Sequence, residues 1–137
     1  MKTFFDTNVL VYAFDVDSPS KRKRATRVLS ECASAGEVLI STQVLQEFYV
    51  AVTRKLARPL GGYAALDATR ELAAFPIVNV DASLLLAAIG ASREHRISFR
   101  DALIVKAASS GGAKVLYSED LNDGQTLDGV TVKNPFA

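Results

Sequence analysis

The sequence is short of the residues from which most metal and redox centres are built. It holds one cysteine, one histidine, one methionine and no tryptophan. A single cysteine, Cys32, excludes an internal disulfide and a cysteine-built zinc site. A single histidine, His95, argues against a histidine-rich metal site and a Ser/His triad; placed after Arg93 and Glu94 near a helix end, it reads as surface. Long apolar runs are missing too. None reaches the roughly 20 residues that span a bilayer, and the opening apolar stretch is broken by Asp6 and lacks a small-residue cleavage site. A soluble cytoplasmic protein without a membrane partner is the expectation. Nor does either sign of charge dominate: 16 Lys and Arg against 15 Asp and Glu leave a formal net charge of +1. That excludes a broadly basic nucleic-acid coat but not a local basic patch. Repeats, low-complexity segments and long linkers are absent, so residues 1–137 read as one domain, long enough to bury a core.

What is present is an alternation of strand-like and helix-like segments, the mark of an α/β domain with a parallel sheet. Thr3-Phe4-Phe5 reads as a first strand and Val9 to Phe14 as a turn leading to a helix. Ser18-Pro19 opens a helix whose apolar stripe is Ala25, Val28, Leu29 and Cys32, which places Cys32 in the core. Gly36 stops it. Val38-Leu39-Ile40 is a second strand, followed by a helix with Val44, Leu45, Phe48, Tyr49 and Val52 on one face. Arg58-Pro59-Leu60-Gly61-Gly62 breaks the chain before a helix from about Tyr63 to Ala74. Ile77 to Val80 is a third strand, and Asp81 caps a helix containing Leu84 to Ile89. Ser98 caps another, with Ile104, Val105 and Ala108, which Gly111-Gly112 ends. Val115-Leu116-Tyr117 is a fourth strand and Val130-Thr131-Val132 a fifth, on the sheet edge.

In open parallel sheets, sites form beyond the carboxyl ends of the strands. Asp6 follows the first strand and Asp120 the fourth. Glu47 lies in the first turns of the helix that leaves the second strand, and Asp101 opens the helix before the fourth. Each has a plainer reading. Asp6 could begin a turn, Glu47 could be a solvated helix residue, Ser98-x-x-Asp101 could be a capping box, and Asp120 could be a loop acid. Against these, Asp6 interrupts an apolar run from Phe4 to Phe14, and Asp101 shares a helix face with Ile104, Val105 and Ala108. Carboxylates brought together repel and raise one another's pKa. A divalent cation removes that conflict. Oxygen-only ligation suits Mg²⁺ or Mn²⁺ rather than zinc, and the chemistry natural to it is phosphate-ester hydrolysis.

Four segments then stand in a recognisable order: Phe5-Asp6-Thr7-Asn8-Val9-Leu10, Ser41-x-x-Val44-x-x-Glu47-Phe48, Phe99-x-Asp101-Ala102 and Leu116-Tyr117-Ser118-Glu119-Asp120-Leu121. Together they resemble PIN domains, most of all the VapC-type toxins of type II toxin–antitoxin modules. The resemblance runs to Gly129-Val130 and Asn134-Pro135-Phe136. It implies a three-layer α/β fold with a parallel sheet ordered 3-2-1-4-5, and a Mg²⁺-dependent endoribonuclease leaving 5′-phosphate and 3′-hydroxyl ends. By this resemblance Asp6, Glu47 and Asp101 match the family's three main acids and Asp120 the fourth, with Asp123 as an alternative fourth. Asp6 and Asp101 would hold the metal, while Glu47 and Asp120 would complete its shell and orient the attacking water. Thr7, Asn8 and Ser118 match small polar positions beside the acids. Ser41 matches another, and reads equally well as a helix N-cap.

The resemblance also implies an RNA substrate, a homodimer and a small antitoxin that covers the acidic site. Phe48, Tyr49 and Tyr63 could serve such interfaces or lie in the core. Lys21-Arg22-Lys23-Arg24 with Arg27 is the concentrated basic patch; Lys23, Arg24 and Arg27 fall opposite the apolar stripe, as a solvated face or a phosphate track. Arg54, Lys55 and Arg58 form a weaker group. Two other functions fit the same pattern: a PIN-fold RNA- or protein-binding module without nuclease activity, and an RNA-processing nuclease outside a toxin–antitoxin system. A phosphatase of the haloacid dehalogenase type does not fit, because Asn8 stands where a second aspartate is needed.

Overall fold

The computed structural model describes residues Met1–Ala137. Its centre is strand β1 (Thr3–Phe5), all three residues of which are buried. A strand with no polar alternation is one covered on both faces, as in a parallel sheet between helices. β1 pairs in parallel with β2 (Val38–Ser41) on one side and β4 (Val115–Tyr117) on the other. β2 pairs with β3 (Ile77–Val78), and β4 with β6 (Val130–Lys133), again in parallel. A short strand β5 (Thr126–Leu127) adds antiparallel to β6, giving the order β3-β2-β1-β4-β6-β5.

The five expected strands therefore stand in the expected order, with one correction at the rim. β6, the fifth strand foreseen, lies inside an added edge strand. The turn between β5 and β6 is Asp128-Gly129, with φ of 49° and 80°. That pair of left-handed conformations is what a two-residue hairpin needs, and Asp-Gly supplies it cheaply. β3 is also shorter than foreseen. Val80 has left the ladder, and its N–H donates to the Thr42 hydroxyl at 3.1 Å.

Helices α1 (Thr7–Tyr12), α2 (Pro19–Ser34), α3 (Thr42–Arg54), α4 (Gly62–Ala73), α5 (Ala82–His95) and α6 (Phe99–Ser110) flank the sheet. α1 starts at once after β1 with Thr7-Asn8 and takes in Val9 to Tyr12, where a turn leading to a helix was expected. Phe4, Phe5, Leu10, Ile40, Phe48, Ile104 and Leu116 are among the largest fully buried side chains. On α3 the buried stripe is narrower than foreseen: Val44, Phe48 and Val52 are inside, while Tyr49 is 45% exposed. Tyr63 is 89% exposed. α6 is buried nearly all round, and at its end Gly111 lies so close to β2 and β3 that a Cβ would meet Leu39 Cδ2 at 2.5 Å. Cys32 is partly buried against the main core. His95 is not plain surface, since its ring meets Asp128 at 3.2 Å. No helix is long and apolar enough to cross a membrane.

Candidate active site

The parallel strands bring their carboxyl ends to one edge, and the site is assembled there from four elements. Asp6 leaves β1 with extended backbone and N-caps α1, its Oδ1 accepting the Thr7 N–H at 2.7 Å. Its own N–H continues the ladder to the Tyr117 carbonyl, so backbone and side chain are both fixed, and the residue is only 1% exposed. Across the strand pair, the fully buried Ser118 at the end of β4 donates its hydroxyl to Asp6 Oδ2 at 2.8 Å. The Ser118 hydroxyl oxygen in turn accepts the Asp120 N–H at 3.1 Å, tying the loop that carries Asp120 to the strand that carries Asp6. Asn8 Nδ2 then reaches both Asp120 oxygens at 3.2 Å.

α3 delivers Glu47. Ser41 N-caps this helix, accepting the Val44 N–H at 3.3 Å, so its capping role is the one the geometry displays. Thr7 donates its hydroxyl to Glu47 Oε1 at 2.7 Å, and Gln43, one turn earlier on the buried side, donates to Oε2 at 3.3 Å. α6 delivers Asp101 in its first turn. Ser98 caps that turn through the Asp101 N–H at 3.0 Å, while the Asp101 carboxylate turns elsewhere, to Arg100.

Arg100 is the residue on which the four acids meet. Its Nη2 lies 2.6 Å from Asp6 Oδ1 and 2.6 Å from Glu47 Oε1, and its Nη1 lies 3.0 Å from Asp101 Oδ1 and 3.3 Å from Asp120 Oδ2. The planar fork of a guanidinium suits this multidentate role. Burial works against its charge, but the bonds to Asp6 and Glu47 outweigh burial and its pKa is raised. At Glu47, burial pushes the carboxyl up, yet the bonds from Arg100 and Thr7 prevail and hold it below its usual value. Asp120 goes the other way, raised by burial and by the charge of Asp6. Four carboxylates against one guanidinium leave the site with surplus negative charge. They offer oxygen donors alone and already converge on a cation, so a hard divalent ion such as Mg²⁺ or Mn²⁺ fits the donor set.

The remaining candidates lie apart from this point. Asp123 accepts the Asn134 N–H at 2.8 Å and does not touch Arg100. Arg24 donates to the Pro135 carbonyl at 2.8 Å and Arg27 pairs with Glu31 at 3.2 Å, which leaves Lys23 as the exposed cation of the three without a partner. Lys21, at the start of the same helix, holds Glu119 at 3.0 Å, beside Asp120. An open groove of about 530 Å³ is lined by Thr7, Asn8, Glu47, Arg100 and Asp120, and also by Lys55. A second cluster, Glu94, His95 and Asp128, sits at the opposite edge of the sheet, where β6 begins. Asp128 pairs there with Lys106 at 3.1 Å and meets the His95 ring at 3.2 Å; burial pushes its carboxyl up, and those two contacts bring it below its usual value.

Arg100 and Gln43 are the site residues that sequence patterns missed. The available signal was an arginine four residues before Ile104, on a mostly apolar helix, where a charge near the buried face must find a partner.

Several solved structures share this fold. A toxin–antitoxin complex from Klebsiella pneumoniae superposes with a TM-score of 0.71 at 24% identity, over 98% of each chain. VapC20 of Mycobacterium tuberculosis, described as a sarcin–ricin-loop-cleaving toxin, gives 0.69 at 21% identity, over 87% of this chain and 90% of that one. VapBC2 from Rickettsia felis, bound to a DNA fragment from its promoter, gives 0.70 at 18% identity over 98% of each chain. Among curated proteins, none matches significantly. The PIN domain family model matches residues 3–122, a span that contains Arg100 and all four acids around it, and the chain belongs to the PIN domain family.

Proposed function

We propose that the chain is a divalent-metal-dependent endoribonuclease and the toxin of a toxin–antitoxin pair. The observation that carries this reading is the arrival of Asp6, Glu47, Asp101 and Asp120 at one point from four separate elements. Asp6 and Asp101 would hold Mg²⁺, or Mn²⁺ in its place. When bound, the ion lowers the pKa of water and stabilises charge on a phosphodiester. Glu47, held ionised by its neighbours, accepts hydrogen bonds from the attacking water and so orients it. Asp120 completes the acidic shell, kept in place by Asn8 and Ser118. Thr7 and Ser118 fix the rotamers of Glu47 and Asp6. Lys55, on the groove wall, offsets phosphate charge beside this acidic cluster, and Lys23, with Arg24 and Arg27, extends the contact to RNA outside it.

RNA as substrate and an antitoxin as partner are supported by the descriptions of the structures sharing this fold, an RNA-cleaving toxin and toxin–antitoxin complexes among them. A single PIN domain over residues 1–137, working in the cytoplasm as a homodimer, belongs to the same proposal. The test is cleavage of end-labelled RNA by the purified chain. Cleavage that requires Mg²⁺ and disappears in both Asp6→Asn and Asp101→Asn is the expected result. Equal cleavage by wild type and both variants rejects it.

A further inference from the structure

In the segment Phe99-x-Asp101-Ala102 the open position is Arg100, and this side chain occupies the middle of the acidic site. Its guanidinium reaches Asp6, Glu47, Asp101 and Asp120 at 2.6 to 3.3 Å, and also the Thr7 hydroxyl at 3.3 Å. A cation in contact with all four carboxylates takes up the lone pairs that a metal ion bound by the same oxygens would need. Two cations at contact distance also repel each other. The geometry points to an exchange: Arg100 is a built-in counter-cation that closes the metal-free site, and a divalent ion binds by displacing it. This rests on the reading of the four acids as a metal site.

The route out is open. Arg100 lies in the first turn of α6, its side chain is 32% exposed, and it already lines the groove. Turning toward the groove leaves Asp101, the next residue, where it is. The exchange also answers why four carboxylates can be held together without metal, since their mutual repulsion is met from within the chain. Its consequence is thermodynamic. Every metal-free molecule with Arg100 seated is unavailable to the ion, so the apparent metal affinity is lowered by the fraction of molecules in which it is not seated.

The experiment is Mn²⁺ titration of the full chain by calorimetry, comparing wild type with Arg100→Gln and Arg100→Lys. Arg100→Gln is expected to bind Mn²⁺ at least about tenfold more tightly, as an occupancy of Arg100 near nine in ten or above requires. Arg100→Lys keeps the charge but loses the fork, and should fall between the two. Equal affinity in wild type and Arg100→Gln overturns the exchange while leaving the metal site standing. An Arg100→Lys affinity equal to wild type overturns it also, because net charge alone would then explain the tightening. No Mn²⁺ binding by any of the three removes both the metal site and the exchange. Should Arg100→Gln fail to fold, wild type alone decides through the NMR signal of Arg100 Nε–H. Saturating Mg²⁺ should move that signal from its hydrogen-bonded position toward that of a solvated arginine, and an unmoved signal with Mg²⁺ bound contradicts displacement.

Discussion

Replacing Ser118 with alanine removes one oxygen from a fully buried position. That hydroxyl donates to a carboxylate, Asp6 Oδ2, at 2.8 Å and accepts the Asp120 N–H at 3.1 Å. A hydrogen bond to a charged group contributes about 1.5–3 kcal/mol. The lower part of that range applies, because Arg100 still donates to the same carboxylate oxygen at 3.2 Å and does not leave it bare. The Asp120 N–H lies near the groove, where water can replace the serine, so its loss adds little. The expected cost is about 2 kcal/mol in the metal-free protein, as a lower urea midpoint at unchanged slope. For a chain of this size that corresponds to a melting temperature lower by about 4–10 °C. Ser109→Ala is the matched control, since its hydroxyl donates to a neutral carbonyl, that of Asp128, at 3.0 Å, and it should cost about 1 kcal/mol. A loss at Ser118 below about 0.5 kcal/mol, the level of an ordinary surface change, or smaller than that at Ser109, would refute the view that Ser118 braces the buried carboxylate.

Two further predictions follow from charge and from packing. Glu47 has a lowered pKa when folded, so it contributes stability above its unfolded value of about 4.3 that is lost as pH falls through the folded value. Asp120 has a raised pKa, so its contribution is fully present below its unfolded value of about 3.9 and is lost as pH rises through the folded one. At pH 7 without metal, Glu47→Gln should therefore lower the urea midpoint and Asp120→Asn should raise it; shifts of the same sign contradict the assignment. Gly111→Ala places a Cβ 2.5 Å from Leu39 and 2.8 Å from Val78, and should cost about 1–3 kcal/mol by overpacking. Gly90→Ala, in open space within α5, should instead stabilise by about 0.5–1 kcal/mol, and thermal melts of the two variants check both signs.

The acids were legible in sequence because carboxylates sat where strands end and helices begin, and a parallel sheet sends those places to one edge. Asp6 was the clearest, since it interrupts an apolar run from Phe4 to Phe14. Arg100 was not legible in the same way. At the start of a helix, next to an aspartate, an arginine reads as solvent-facing, and only the packed surroundings of α6 and the four acids turn it inward. Gln43 hid for a similar reason, being polar at the edge of a stripe whose centre is Val44 and Phe48. The pairing of His95 with Asp128 joins residues 33 positions apart and depends on a hairpin whose first strand is two residues long, too short for any periodic signal. The Asp128-Gly129 turn was the visible trace of that hairpin. The breadth of the α3 stripe was overread because helical spacing admits Leu45 and Tyr49 equally, and only the packed sheet decides which flank is covered.

Asp6, Glu47, Asp101 and Asp120 are proposed to form a divalent-metal site. Anomalous scattering from crystals of the full chain grown with Mn²⁺ tests it most directly. A peak is expected within ligand distance of Asp6 and Asp101, with the Arg100 guanidinium turned out toward the groove. No peak at these acids, or one found instead at Glu94, His95 and Asp128, would contradict it.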